Sequence, residues 1–91
     1  MTATDREALI RERLTAALDP LRLEIVDESH KHAGHAQARG GGHFQVTIVS
    51  AAFAGKSLLE RHRMVYDAMG DAMHGEIHAL SIKASAPEEV Q

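Results

Sequence analysis

Three observations predict an α+β domain of order α-β-β-α-β, with two helices on one face of a three-stranded mixed sheet. Two segments repeat apolar residues at helical spacing, and each opens on a capping-box pair. Three shorter segments read as strands, the middle one in strict apolar–polar alternation. The second and third strands are separated by a helix, the connection that lets two strands pair in parallel through a right-handed crossover.

The first helix is expected over 4–18. Thr4 and Glu7 form its capping box, and Leu9, Ile10, Leu14, Ala17 and Leu18 make its apolar stripe. Asp19-Pro20 ends it, because the proline ring disfavours a helical residue before it. The first strand covers 21–29, with Leu23 and Ile25 on one face and Glu24 on the other. A loop over 30–42 carries four glycines and three histidines without periodicity, and so long a loop in so small a domain is more often functional than not. The second strand, 43–50, alternates Phe44, Val46 and Ile48 with Gln45 and Thr47. Gly55 suits the turn that follows, and Ser57 with Glu60 opens a second helix reaching about Met73. Its stripe is Leu58, Leu59, Val65, Tyr66, Met69 and Met73, with Gly70 inside the helix and Gly75 as its stop. Met64, Met69 and Met73 serve chiefly as core filler. The third strand covers 76–84, and 86–91 reads as a frayed acidic tail.

This order has a consequence for the histidines. If the second and third strands are parallel, both begin at the sheet edge that carries the long loop. His78 then stands beside His43 and below His30, His32 and His35, so that most of the histidines share one rim.

The 91 residues make one domain, 1–91. Such a chain buries roughly 60–65% of its unfolded surface, enough for one modest core. With two Phe, one Tyr and no Trp, that core is thin, and neither a deep cavity nor a small-molecule substrate is expected. The absence of cysteine excludes disulfides, a thiol nucleophile and a self-sufficient thiolate metal site. The opening residues Met1-Thr-Ala-Thr-Asp-Arg-Glu7 lack the basic and apolar regions of a signal peptide, and no apolar run reaches the roughly 20 residues of a membrane span. A cytoplasmic protein without a membrane partner is expected. A net charge of −3 argues against binding nucleic acid by charge alone. Ser57 is better explained as a helix cap than as a nucleophile. Gly40-Gly41-Gly42 lacks the helix and lysine of a phosphate cradle. No catalytic constellation emerges, and no enzyme is expected.

Four blocks carry a resemblance: Leu23-Glu-Ile-Val-Asp-Glu-Ser29, His43-Phe-Gln-Val-Thr-Ile-Val-Ser50, Phe53-Ala-Gly-Lys-Ser-Leu-Leu-Glu-Arg-His-Arg63 and Ile77-His-Ala-Leu-Ser-Ile-Lys-Ala84. Together they cover most of the chain and resemble the BolA family. The resemblance implies a class II KH-like fold, in agreement with the element order. It also implies an adaptor that pairs with a monothiol glutaredoxin to hold a bridging [2Fe-2S] cluster, in iron–sulfur cluster trafficking or iron and redox sensing. One implied ligand is His78, at the start of the last strand. The other comes from the long loop, where His32 matches best and His35 is the alternative. No cluster is expected in the isolated chain: a [2Fe-2S] cluster takes four ligands, histidines can replace thiolates on one iron, and the remaining sulfurs must come from glutaredoxin and glutathione. An imidazole-ligated cluster is open to release by protonation.

Read without the resemblance, these residues have simpler explanations. His78 shares strand parity with Leu80 and Ile82 and reads as a half-buried histidine satisfied by a carbonyl. The loop histidines read as a polar segment that binds nickel or zinc adventitiously. His43 simply starts its strand, or its imidazole supports a metal ligand without binding the metal itself. Arg61 and Arg63 form a solvated or partner-facing edge of the second helix, while His62 packs towards the sheet. His74 suits the negative end of a helix. The competing function is a DNA-binding transcriptional regulator of morphology or stress response that uses the Arg61–Arg63 helix. The Gly-x-x-Gly loop with which KH domains grip nucleic acid is missing.

Overall fold

The central strand of the sheet is the one whose alternation is clearest in the sequence. The computed structural model describes residues 3–28, 42–74 and 77–90, with backbone only at Ala3, His74 and His78. Its elements are α1 (Ala3–Leu18), β1 (Arg22–Asp27), β2 (Gly42–Val49), α2 (Leu58–Met69) and β3 (Ile77–Ser85), with 3-10 turns at Ala51–Phe53, Gly70–His74 and Pro87–Glu89. The sheet order is β1-β2-β3, with β1 antiparallel and β3 parallel to β2. The predicted mixed sheet and crossover are therefore present.

Phe44, Val46 and Ile48 point into the core with Leu80 and Ala84 of β3, while Gln45, Ser81 and Lys83 stay in water. Ile10, Leu14 and Leu18 of α1 and Val65 and Met69 of α2 close over the same face. Leu23, Ile25 and Ile82 complete the layer from its margins, as do Met64 and Met73. Two polar ties hold the helices in place. The Ser50 hydroxyl donates to the last carbonyl of α1, Leu18 O, and Arg13 donates to Met69 O at 3.0 Å while pairing with Asp71.

Several expectations are corrected. The first helix begins at Ala3, so Thr4 lies inside its first turn, and Ala17 faces solvent. The helix ends as expected, with Asp19 at φ +44°, a conformation that aspartate tolerates, just before Pro20. The second helix stops at Met69. Gly70 is its cap at φ +56°, where a side chain is strained, and a 3-10 turn replaces the expected continuation to Met73. The buried stripe of α2 is Arg61, Val65 and Met69. Leu58, Leu59 and Tyr66 are 69%, 60% and 41% exposed instead of buried. The tail is not frayed over 86–90: Ala86 is fully buried, and Pro87–Glu89 forms a turn anchored on α2. The loop expected over 30–42 and the Gly75 stop lie outside the described residues, apart from Gly42, which opens β2.

Gly42 is required at that point by a close approach. A Cβ there would stand 2.3 Å from Cε2 of Phe44, whose ring lies over the strand backbone. Gly42→Ala must push this buried core ring aside, an overpacking expected to cost about 1–3 kcal/mol in urea unfolding. A loss within error of zero would show that the ring has room to move.

Candidate functional site

The sheet has two chemically different ends. At the first, β1 finishes while β2 and β3 begin, so the segment between Glu28 and Gly42 leaves and returns at the same rim as the start of β3. Glu28 N–H donates to His43 O at 2.8 Å and closes the antiparallel ladder there, and His43 is half-buried. Gly42 pairs with Ile77 and His43 with Ala79, so His78 is the extra residue of a bulge. Burial agrees: Ile77 and Leu80 are both inside, at 1% and 8% exposure, although an unbroken strand would turn residues three apart to opposite faces. The strand is thus irregular at His78, whose expected half-buried side chain lies outside what the structure describes. Bulges recur beside functional sites because they re-aim a side chain and end regular pairing.

The backbone of His78 and the residue His43 are neighbours on this rim, as the element order required. His30, His32 and His35 lie outside the described residues. Among the described residues, no group of three or more His, Asp or Glu side chains converges as a metal site, and no pocket opens. The donor chemistry is informative by itself. Imidazoles are the only soft or borderline ligands beside four methionines in a chain without cysteine. Imidazole nitrogen suits zinc, copper, iron or nickel.

The second end holds Arg61. Where a solvated or partner-facing edge is expected, Arg61 is only 7% exposed. Its Nε donates to Lys56 O at 3.0 Å, Nη1 to Ala84 O at 3.1 Å, and Nη1 and Nη2 to the two carboxylate oxygens of Glu89 at 2.7 and 2.9 Å. The fork holds the Glu89 carboxyl down at about 2, well below its ordinary range. The residue's place in the helix explains its burial, since Arg61 precedes Val65 and Met69 by four and eight residues on the inward stripe. The 61/65/69 spacing is the signal that the sequence carries for this burial. The local start of α2 is built by Ser57, whose hydroxyl accepts from Glu60 N–H while the Glu60 carboxylate accepts from Ser57 N–H. Gly55-Lys56-Ser57 therefore opens a helix after a strand, yet the Glu60 carboxylate occupies the position an anion would take, and its own pKa is lowered by those Ser57 bonds.

Ala84 and His78 are six residues apart on β3, about 20 Å at the rise of a strand. The candidate metal rim and the Arg61 clamp are separate sites.

A family model for BolA-like proteins matches residues 14–89, which takes in both ends of the sheet. The chain belongs to the BolA-like family. This BolA-like chain is 51% identical over 87 residues to SufE-like protein 1, chloroplastic/mitochondrial, of Arabidopsis thaliana, covering 89% of the chain and 24% of that protein. It is 41% identical to the DNA-binding transcriptional regulator BolA of Escherichia coli K12, covering 80% of the chain and 68% of that protein. The solved BolA domain of SufE1 from Arabidopsis thaliana superposes with a TM-score of 0.83 at 47% identity, over 99% of each chain. The chain thus spans about a quarter of the length of SufE-like protein 1, in which the BolA-like fold is one part of a longer protein. Among the described residues no helix is long and apolar enough to cross a membrane.

Proposed function

We propose that this BolA-like chain is a non-catalytic cytoplasmic adaptor. It pairs with a monothiol glutaredoxin, and the two share a [2Fe-2S] cluster with glutathione for trafficking or for iron and redox sensing. The observation that carries this reading is the common rim: Glu28 and Gly42, which flank the histidine-bearing segment, and the bulged start of β3 at His78 lie together, in a chain without cysteine. In this reading His78 and His32 supply the imidazoles, with His35 as the alternative loop ligand and His43 beside them as support. Glutaredoxin and glutathione supply the sulfurs. The cluster, when bound, supplies the electron-transfer and transferable iron–sulfide chemistry.

The test mixes the purified chain with a monothiol glutaredoxin, glutathione, iron and sulfide, and records the visible absorption of the heterodimer after gel filtration. A coloured heterodimer and a colourless single chain are expected. His78→Ala should change the visible spectrum or empty the heterodimer, with circular dichroism unchanged. His32→Ala should do so more strongly than His35→Ala, and a double variant identifies exchange between the two. A cluster retained by the chain alone, or an unchanged spectrum in His78→Ala, overturns the reading.

The E. coli relative's name favours a second reading, in which the chain binds DNA. Arg61 is engaged by Glu89 and two carbonyls, which leaves the exposed Arg63 and Lys56 as the cations of that helix start. Duplex binding that weakens steeply with salt and falls in Arg63→Ala would support it.

A further inference from the structure

The Arg61 guanidinium is held by groups that do not include the acid it binds. The Lys56 carbonyl takes its Nε and the Ala84 carbonyl one N–H of Nη1, so that α2 and β3 orient the fork before any carboxylate arrives. The remaining edge of the fork and the Ala86 N–H, 2.8 Å from Glu89 Oε1, then form a three-donor clamp with planar, bidentate geometry. We propose that this clamp is a binding site for the carboxylate of an acidic peptide segment, and that Glu89 is its occupant in cis.

The two sides of the pair are unequal in the way a receptor and its ligand are. The Arg61 side chain is 8% exposed, whereas that of Glu89 is 45% exposed. Glu89 rides on a three-residue turn at the end of the described chain, closed by its own N–H to Ala86 O and by Val90 N–H to Pro87 O. Such a turn opens locally, below the cost of global unfolding, and the main cost of opening is the unpaired Arg61 that it leaves. The clamp it would vacate is left with a buried, oriented cation, which draws in another carboxylate. An acidic side chain fits better than a compact anion because the fork and the Ala86 N–H present three donors to two oxygens. The surroundings name the rest of the ligand. Exposed Lys56, whose carbonyl Arg61 binds, carries a positive charge, and exposed Leu58, one helical turn before Arg61, and Val90, next to Glu89, offer apolar surface, so an acidic segment with aliphatic neighbours is complementary. Because Glu89 competes in cis at millimolar or higher effective concentration, the turn acts as a latch that only a well-matched segment displaces. The inference is independent of the cluster reading, for it concerns the opposite end of the sheet and its test uses neither iron nor glutaredoxin.

The probe is the acetylated peptide Pro-Glu-Glu-Val-Gln, a copy of residues 87–91, added to the full chain carrying Glu89→Ala. Calorimetry and the Arg61 Nε–Hε NMR signal are read together. Peptide should bind the variant about tenfold or more tightly than it binds the unmutated chain, and it should restore the Arg61 signal of the latched state. Arg61→Lys in the Glu89→Ala background keeps the charge and loses the fork, and it should lose about tenfold in affinity. Equal affinity for the two chains, an Arg61 signal that ignores the peptide, or displacement by duplex DNA but not by peptide overturns the proposal. Should Glu89→Ala fail to fold, the unmutated chain is titrated to high peptide concentration. The Val90 amide should then move towards its free-chain position while Arg61 Nε–Hε stays bound, and a stationary Val90 amide overturns it.

Discussion

Phe44→Ala is expected to destabilise the domain by about 3–5 kcal/mol, the usual cost of removing a buried aromatic ring. The ring is 1% exposed, lies over Gly42 and stands among the largest buried side chains. Few neighbours can refill the space, since the chain has two Phe and no Trp and its helices lean on Ile10, Leu14 and Val65. A domain of this size has a total stability of roughly 5–15 kcal/mol, so the variant sits near its folding limit. Thermal unfolding should fall by about 4–8 °C for each kcal/mol lost. Phe44→Leu, which keeps most of the volume, should cost clearly less. Urea and thermal denaturation followed by circular dichroism decide the matter, and equal losses in the two variants would mean that ring shape, not volume, holds the rim.

Acid should unlatch the C-terminal turn in a defined window. The Glu89 carboxyl sits at about 2 in the folded chain against an ordinary 4.5. Its contribution is whole above pH 4.5 and is lost as the pH falls towards 2, because the unfolded chain takes up the proton first. Glu60, lowered by its bonds to Ser57, acts in the same sense. Stability measured by urea midpoint should therefore drop between pH 4.5 and 2, with Glu89 accounting for about one proton bound on unfolding. Glu89→Gln should be less stable at neutral pH and should show a flatter profile through this window. Parallel profiles for the two chains would remove Glu89 from the acid transition and leave it to the remaining carboxylates.

Element types, their order and the sheet topology were legible because each rests on local periodicity. The 44/46/48 alternation makes β2, the Ser57–Glu60 pair starts α2, and an intervening helix permits the parallel pairing of β3 with β2. The rim was legible for the same reason, since strand direction alone decides which ends meet. The phase of α2 was not. Leu58, Leu59 and Tyr66 are apolar and read as inward, yet the packed stripe is 61, 65 and 69, and it carries an arginine. Composition cannot reveal this, because a buried arginine is stable only when distant carbonyls and a carboxylate are brought to it.

What the sequence determined by itself was the class of fold, the order of its layers, the missing thiolate and the meeting of His43 with the backbone of His78 at one end of the sheet. Each of these follows from residue type or from neighbours within a turn of helix or a strand. Only the tertiary structure decided the bulge at His78, the end of α2 at Gly70 and the capture of the acidic tail by Arg61. The bulge depends on how β3 registers against β2, and the capture joins groups 28 positions apart in the chain. Such contacts exist only where the helices are docked, because burial there makes an unpaired cation costly and a carboxylate its partner.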